Sequence, residues 1–471
     1  MRAKRKYWTL GMKLAPRHME RQGPARSILL PGFLGLGRVL QELSPAIAIP
    51  WALCRRKRLV VKGVDASVLT DSPTFYTGIR VLHTARLRLQ VLQGRRYLDD
   101  VREPWLSLLP AARWAAFTHP AWCSAVWESY APSGRVVFVI AWMDDRPVGI
   151  IPLCSRRMNR FGLFLPVAEA FGGARGDYCI PFVGTTEEPG VLDTLLEAAI
   201  AISEKAGVFV LPNVPAEAGI HHHVERFLRD RGHLFTRRES TCPLILLKST
   251  VEETQRAFSR NLRVNLRKQF RRIQELHGPL SIQIVDSKQD ALKLLPSFFE
   301  MHDRRWLEAG KPGTFNDPAA RSFYHSVISG MWDSGVHFST LSCGDQVVAF
   351  HFGLVSNGFL LCYKWAYDLE FHSYSPGKLM LESLVRHGVE KGWRGIDLLQ
   401  GSEAYKDQWS SEMAQTFTYT VPTSSWSPSY WWLIRGRPWT ERQFGAIYHR
   451  YASRIGSWRG TRRSPLAHPE E

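Results

Sequence analysis

Tyr374-Ser375-Pro376-Gly377-Lys378 stands where an apolar, aromatic strand, Phe359 to Asp368, gives way to an amphipathic helix. Ser375 suits the N-cap of that helix and Pro376 its first position, where the missing N–H of proline costs nothing. A helix begun this way presents free backbone N–H groups at the positive end of its dipole. Gly377 lets a phosphate approach that backbone closely, and Lys378 adds a full charge. The pattern fits a seat for a pyrophosphate.

A second cationic feature lies about a hundred residues earlier. Ser249 with Glu252 and Thr250 with Glu253 have capping-box spacing, and the pattern predicts one helix from there to about His277. Phe258, Leu262, Leu266, Phe270 and Ile273 form its apolar stripe, and Arg256, Arg260, Arg263, Arg267 and Arg271 a basic one. Like charges at this spacing destabilise a helix unless an anion compensates them. Arg260, Arg263 and Arg267 are therefore candidates for holding an anionic substrate or donor. Other chemistries find less support. There is no Gly-x-Ser-x-Gly elbow for a serine hydrolase. The adjacent His221, His222 and His223 cannot all point at one ion, so no metal site is expected. Gly32, Gly35 and Gly37 follow no strand and lack the Lys and Ser/Thr of a phosphate loop.

The elements that must position these residues repeat. Val136 to Trp142, a turn at Met143-Asp144-Asp145-Arg146, and Pro147 to Leu153 read as an antiparallel hairpin. Two hundred residues later Val336 to Leu341, Cys343-Gly344-Asp345-Gln346 and Val347 to Leu354 have the same form, with Asp345 where Asp145 stood. A helix and a short apolar strand follow each copy: Val191 to Lys205 and Gly207 to Leu211, then Lys378 to Lys391 and Gly395 to Leu399. This order predicts an α/β (α+β) chain of two tandem domains, each a mixed, mostly antiparallel sheet flanked by helices.

Tyr374 to Leu381, Gly392, and Ile396-Asp397-Leu398-Leu399-Gln400-Gly401-Ser402-Glu403-Ala404-Tyr405-Lys406 with Trp409 closely resemble the GNAT-type acetyltransferases of the CelD/BcsL kind, relatives of the FemAB aminoacyltransferases. Asn261-Leu262-Arg263 and Asn265-Leu266-Arg267 resemble that family's entry to its second domain. Phe117 to Trp122 resembles its opening segment, and Gly176-Asp177-Tyr178 its first-half motif. The likeness covers roughly residues 98 to 421. It implies tandem GNAT-like folds and acyl-CoA, most simply acetyl-CoA, as co-substrate, with the pyrophosphate near the backbone after Ser375 and the Lys378 charge. The chain departs from the family's usual Gln/Arg-x-x-Gly-x-Gly/Ala phosphate loop, which is reduced here to a Ser-Pro-Gly-Lys turn. Acyl transfer needs a deprotonated acceptor, a polarised thioester carbonyl and a protonated leaving thiolate. By resemblance Tyr405, just beyond the strand ending near Leu399, is the acid for the thiolate. Glu403 is the candidate base, with Asp368 next, and Lys406 orients an anionic acceptor or steadies oxyanion charge. The implied activity is N-acyl transfer to an amine of a sugar, amino acid or envelope or polysaccharide precursor. The alternatives are a FemAB-like aminoacyltransferase using aminoacyl-tRNA, and a non-catalytic membrane-peripheral or scaffold protein on a degenerate GNAT fold.

The charge of +18 is not spread evenly. Residues 1–100 carry 19 Lys and Arg against 6 Asp and Glu, residues 426–471 carry 8 against 3, and residues 101–425 balance at 34 each. A neutral body with basic ends excludes a coat protein that is basic throughout. The expected parts are a basic, partly disordered arm over 1–74, GNAT-like domains over 75–246 and 247–425, and a basic aromatic tail over 426–471. In that tail Trp426, Trp431 and Trp432 alternate with arginines in a way that suits an anionic lipid interface. Seven scattered cysteines without a Cys-x-x-Cys pair argue against disulfides or structural zinc. The first sustained apolar run, from Ile28, is cut by Pro31, Arg38, Glu42 and Pro45, which makes a poor signal peptide. The expectation is a cytoplasmic enzyme, peripheral to the inner membrane face if its ends bind lipid, taking a small-molecule or glycan-precursor acceptor.

Overall fold

The computed structural model describes residues 74–82, 85–160, 163–180, 183–184, 189–308, 310–401, 405–409 and 412–423. The basic ends, residues 1–73 and 424–471, lie outside the described residues, and so does Glu403.

In chain order the first half runs β1 (Thr74–Leu82), β2 (Ala85–Gln93), α1 (Leu98–Ser107), α2 (Pro120–Tyr130), β3 (Arg135–Met143), β4 (Arg146–Arg160), β5 (Leu163–Ala170), β6 (Val183–Gly184), α3 (Pro189–Ile202), β7 (Val208–Pro215), α4 (Ile220–Asp230) and β8 (Thr236–Leu246). The second half runs α5 (Val251–Arg256), α6 (Arg260–His277), β9 (Leu280–Ile284), α7 (Lys288–Glu308), α8 (Pro318–Met331), β10 (Val336–Cys343), β11 (Gln346–Ser356), β12 (Phe359–Tyr367), α9 (Pro376–Glu390), β13 (Gly395–Asp397) and β14 (Glu412–Pro422). Both hairpins expected from the repeat are present. Their two-residue turns begin on a left-handed residue, Asp144 at φ 52° and Gly344 at φ 57°, the backbone hand that matches strand twist. β3 is apolar along nearly its whole length because both its faces are covered, and Val136 to Ala141 are all buried.

The strands form one mixed sheet in the order β1-β2-β3-β4-β5-β7-β14-β8-β13-β12-β11-β10-β9, with β6 paired to β4. From the central pair β14·β8 outward the two sides mirror each other, β7-β5-β4-β3-β2 against β13-β12-β11-β10-β9. Only β5·β7 and β12·β13 are parallel; the other described pairs are antiparallel. The last strands of the halves are exchanged: β14 lies on β7, and β8 on β13. The boundary at 246/247 thus follows a strand already laid into the sheet of the second half.

The single helix expected from Ser249 to His277 is two. Thr250 caps α5 by accepting from the Glu253 N–H at 3.1 Å, and Ser259 caps α6 by accepting from Leu262 N–H at 3.2 Å. A serine hydroxyl able to satisfy the backbone locally ends one helix and starts the next. Leu262, Leu266 and Ile273 are buried, a contribution of about 1.5–3 kcal/mol each. Phe270, assigned to that stripe, is 40% exposed. It sits about 60° round the helix from the buried line. Arg256, Arg260, Arg267 and Arg271 face solvent, and Arg263 is half-buried. Among the described residues no helix is long and apolar enough to cross a membrane.

Candidate functional site

The parallel strands β12 and β13 pair only over Phe359↔Gly395, Leu360↔Ile396 and Leu361↔Asp397, and then part. β12 continues to Tyr367 along β11, but its register slips so that Cys362 pairs Gly353 and Lys364 pairs Phe352. Tyr363 is the extra residue of a β-bulge, a feature that re-aims side chains and leaves its own residue unpaired in the ladder. The close approach needs glycine opposite: a Cβ at Gly353 would lie 2.4 Å from the Leu361 carbonyl oxygen. The bulge turns both Tyr363 and Lys364 towards residues 175–177 of the first half, and the Tyr363 hydroxyl donates to the Arg175 carbonyl at 3.1 Å.

The other wall begins at Asp397. This carboxylate is wholly buried and accepts from Arg113 Nε at 3.0 Å, from the Tyr178 hydroxyl at 2.6 Å, and from the Leu399 N–H at 2.8 Å. Arg113 also grips Glu217 through both terminal nitrogens. Burial opposes the guanidinium charge, but the bond to Glu217 and the nearby Asp397 carboxylate outweigh it and hold the pKa above its usual value. Leu399 is left-handed at φ 58°, a conformation that costs a leucine of order 1 kcal/mol or more and persists only where its surroundings enforce it. Here the Asp397 carboxylate enforces it. Lys406 then folds back, buried, and donates to the carbonyls of Leu399 and Gln400.

Asp177 stands between these walls. Its carbonyl accepts from Gln400 Nε2 at 2.9 Å, and the Tyr178–Asp397 bond fixes the next residue. Burial pushes its carboxyl up to about 7, against the pull of Lys406 and Lys364 and the Gln400 N–H, while Asp397 adds to the rise. Lys364 moves the other way, down to about 8, because of burial and then the Arg175 charge, with Arg305 acting in the same sense and Asp177 and Asp303 opposing. Both residues are half-buried. Poorly solvated groups that still reach an opening mark sites of chemistry.

The matching opening in the first half is closed by its own chain. β5 and β7 pair only at Ala168↔Phe209 and Glu169↔Val210. Beyond that, Cys179 N–H donates to the Asn213 carbonyl at 2.9 Å and Asn213 Nδ2 to the Gly176 carbonyl at 2.7 Å. The loop that fills the first opening is the one that carries Asp177 into the second.

The residues singled out in the sequence fall around this opening unevenly. Ser375 does not cap α9 with its hydroxyl as expected. It is left-handed at φ 56°, and its carbonyl accepts from the Lys378 and Leu379 N–H groups. The Gly377 N–H is left without an acceptor among the described residues. A Cβ at Gly377 would meet only Tyr367 Cδ1 at 3.7 Å. Lys378 Nζ reaches Gln408 Oε1 at 3.4 Å, and the Gln408 carbonyl accepts from the Ser259 N–H at 3.0 Å, which brings the first turns of α9 and α6 together. Arg263 Nε is buried there with no partner among the described residues. Space at Gly377, a free N–H, an ammonium and an unpaired guanidinium donor fit a pyrophosphate. Pro376 occupies the first helical position, Arg260 and Arg267 extend the cationic edge outward, and Tyr374 packs on α6 through its hydroxyl and His277 Nε2 at 3.0 Å.

Tyr405 is 37% exposed on the strap between β13 and β14. Asp368 caps a 3₁₀ turn by accepting from the Glu370 N–H at 3.1 Å, a structural duty beside its expected one as a base. Sequence reasoning missed Lys364 and Arg113, and used Asp397 and Asp177 only as parts of motifs. A lone lysine in an otherwise apolar strand was the available signal for Lys364. Among the described residues no group of three or more His, Cys, Asp or Glu is placed to hold a metal.

Residues 260–407 match the family model described as an acetyltransferase (GNAT) domain. No curated protein matches the chain. Among solved structures, FemX has a TM-score of 0.52 at 11% identity, covering 73% of this chain and 99% of its own. A tandem GNAT protein from the clavulanic acid biosynthesis pathway has a TM-score of 0.37 at 11% identity, over 71% of this chain and 99% of its own. The C-terminal domain of a putative lysylphosphatidylglycerol synthetase from Agrobacterium fabrum has a TM-score of 0.43 at 12% identity, over 69% and 92%. The chain thus has a FemX-like fold of two halves that mirror each other in strand order, and its second half carries the segment similar to the GNAT acetyltransferase domain.

Proposed function

We propose that the protein is an N-acyltransferase that moves an acyl group, acetyl in the simplest case, from acyl-CoA to an amine of a sugar, amino acid or envelope precursor. The observation that carries this reading is the parting of β12 and β13 beside the free first turn of α9. Acyl-CoA supplies an activated thioester when bound. The Gly377 N–H, Lys378 and Arg263 hold its pyrophosphate, and the parted strands give the pantetheine arm a path inward. The unpaired backbone at the Tyr363 bulge offers a donor where carbonyl charge develops, the preorganised help that acyl transfer needs. Tyr405 protonates the thiolate. Residues 75–246 act as the supporting half and 247–425 as the transferring half, on the cytoplasmic side. Calorimetric titration with acetyl-CoA tests the reading: binding that desulfo-CoA competes for is expected, and no binding at millimolar acetyl-CoA overturns it.

The solvent-facing Arg256, Arg260, Arg267 and Arg271 favour a second reading, aminoacyl transfer from aminoacyl-tRNA with this face on the RNA. Titration with tRNA at two salt concentrations separates the readings. In it, affinity that falls steeply with salt supports the tRNA donor. The basic ends are proposed to hold the protein at an anionic membrane surface, which flotation with anionic liposomes tests.

A further inference from the structure

Three features of the molecule outside the donor seat lack a task. On the exposed basic face of α6, only Arg271 has an ion pair among the described residues, with Glu275 at 3.6 Å. His337 and His351 are buried with all four ring nitrogens unpaired, but they lie among other buried side chains. Asp177 and Lys364 remain: an acid and an amine from different halves, near enough at the parting of the strands for each charge to act on the other, with no ion pair between them within 4.0 Å among the described residues.

We propose that Asp177, supplied by the first half, is the general base that takes the proton from the acceptor amine in the opening of the second half. The inference rests on the acyl-transfer reading and names the acceptor side of that site.

Three properties of Asp177 converge on this role. The first is position. The loop carrying Asp177 is fixed at Arg175 by Tyr363 on β12, at Asp177 by Gln400 after β13, and at Tyr178 by Asp397. These bonds span the mouth where the two parallel strands separate, so the backbone of Asp177 is held between the walls along which a thioester must enter, with its carboxyl near Lys406, Asp397 and Lys364. The second is that the loop is rigid. Asn213 holds Gly176, and Thr418 Oγ1 donates to Asn213 Oδ1 at 2.9 Å, so the support reaches through β14 into the central sheet. A base held this firmly needs no reorganisation during reaction.

The third is its electrostatic setting. Lys406 and Lys364 face Asp177 as cations and Asp397 as an anion, while Tyr324, Tyr363 and Cys242 face it as neutral groups whose own protons burial retains. Arg175, Arg305 and Asp303 act on it through Lys364. The balance leaves the carboxyl near 7, where a base is both available and strong enough to accept a proton at neutral pH. An ordinary exposed carboxylate is too weak a base for an ammonium group.

The chemistry balances with acyl-CoA and an ammonium acceptor alone. The acceptor ammonium gives one proton to the Asp177 carboxylate. The freed nitrogen pair forms the C–N bond to the thioester carbonyl carbon, the C–S bond breaks, and a second N–H proton leaves with the thiolate as thiol. Asp177 returns its proton to solvent, and an amide, a free thiol and one proton result.

The test uses the full chain, acetyl-CoA, and glucosamine or water as acceptor. Thiol release is followed between pH 5 and 9, and acetyl-CoA affinity by calorimetry, for wild type, Asp177→Asn and Asp177→Glu. The expected result has three parts: wild-type kcat/KM rises with pH and levels off above about 7, Asp177→Asn loses at least about 100-fold and that rising limb with unchanged acetyl-CoA affinity, and Asp177→Glu recovers part of the rate. Wild-type thiol release with an unchanged rate and pH limb in Asp177→Asn overturns the base and leaves the acyl-transfer reading standing. Acetyl-CoA binding lost in Asp177→Asn also overturns it, because the residue then holds the donor. Wild type that neither binds acetyl-CoA nor releases thiol overturns both.

Discussion

Arg113 and Asp397, 284 residues apart, form a buried ion pair with Nε 3.0 Å from Oδ2. It joins the start of the first half to the end of β13, and Asp397 in turn imposes the left-handed turn at Leu399. Removing one member of a buried pair leaves an unpaired charge, at a cost of about 3–5 kcal/mol. Arg113→Ala is therefore expected to lower the unfolding free energy, measured by denaturant titration, by that amount. A loss below about 1 kcal/mol would show that the pair is dispensable to folding.

Gly377 separates stability from binding. A Cβ there meets nothing closer than 3.7 Å, and alanine is the better helix former by about 1 kcal/mol. Gly377→Ala is expected to fold at least as stably as wild type yet bind acetyl-CoA on the order of tenfold more weakly, because the methyl group keeps phosphate off the N–H. Lys378→Met should weaken binding to a similar degree and make it less sensitive to salt. Calorimetry at two ionic strengths measures both.

Tyr405 sits half-exposed on the strap that carries Lys406 and Gln408. Tyr405→Phe is expected to lower turnover roughly 10- to 10,000-fold with little change in acetyl-CoA affinity if the phenol protonates the thiolate. Equal turnover in the two proteins would remove it from the mechanism.

His337 and His351 lie on β10 and β11, side by side under α9 and close to Trp393 and Trp365. Burial lowers His337 to about 3, with the nearby His387 adding to the effect, and burial holds His351 well below the usual histidine value. The unfolded chain binds protons at these residues below about 6.5, and the folded chain does not until far lower pH. Stability is therefore fully present above about pH 6.5 and is lost as pH falls towards 3. His351→Leu is expected to flatten that loss and to raise stability at pH 7 by about 1–3 kcal/mol, since two unpaired buried nitrogens disappear. Unfolding midpoints at pH 7 and pH 5 test it, and a destabilised His351→Leu at both would show that the ring fills its place better than leucine.

The hairpins, the order of elements in each half and the start of α9 were legible in the sequence, because period-two apolar runs, two-residue turns and a proline at the first helical turn are local signals. The expected cap at Ser375 was not what formed, and the long basic helix proved to be two, because competing hydroxyls and backbone groups a few residues apart settle such details. The resemblance placed the donor end at Tyr374 to Lys378, and the structure gives that end room, a free N–H and nearby cations.

The proposed acceptor end was not legible. Nothing in the spacing of Gly176-Asp177-Tyr178 tells that it meets Lys364 and Gln400, since the contact spans about two hundred residues. It exists only because β8 and β14 trade places in the sheet and the first opening is filled by its own loop. Local patterning determined which strands, turns and helices this chain forms and how often it repeats them. Tertiary pairing decided which parallel strands part beside the start of α9 and which side chains lose enough water there to change their acidity, since burial and charge at a site are summed over neighbours that sequence distance does not reveal.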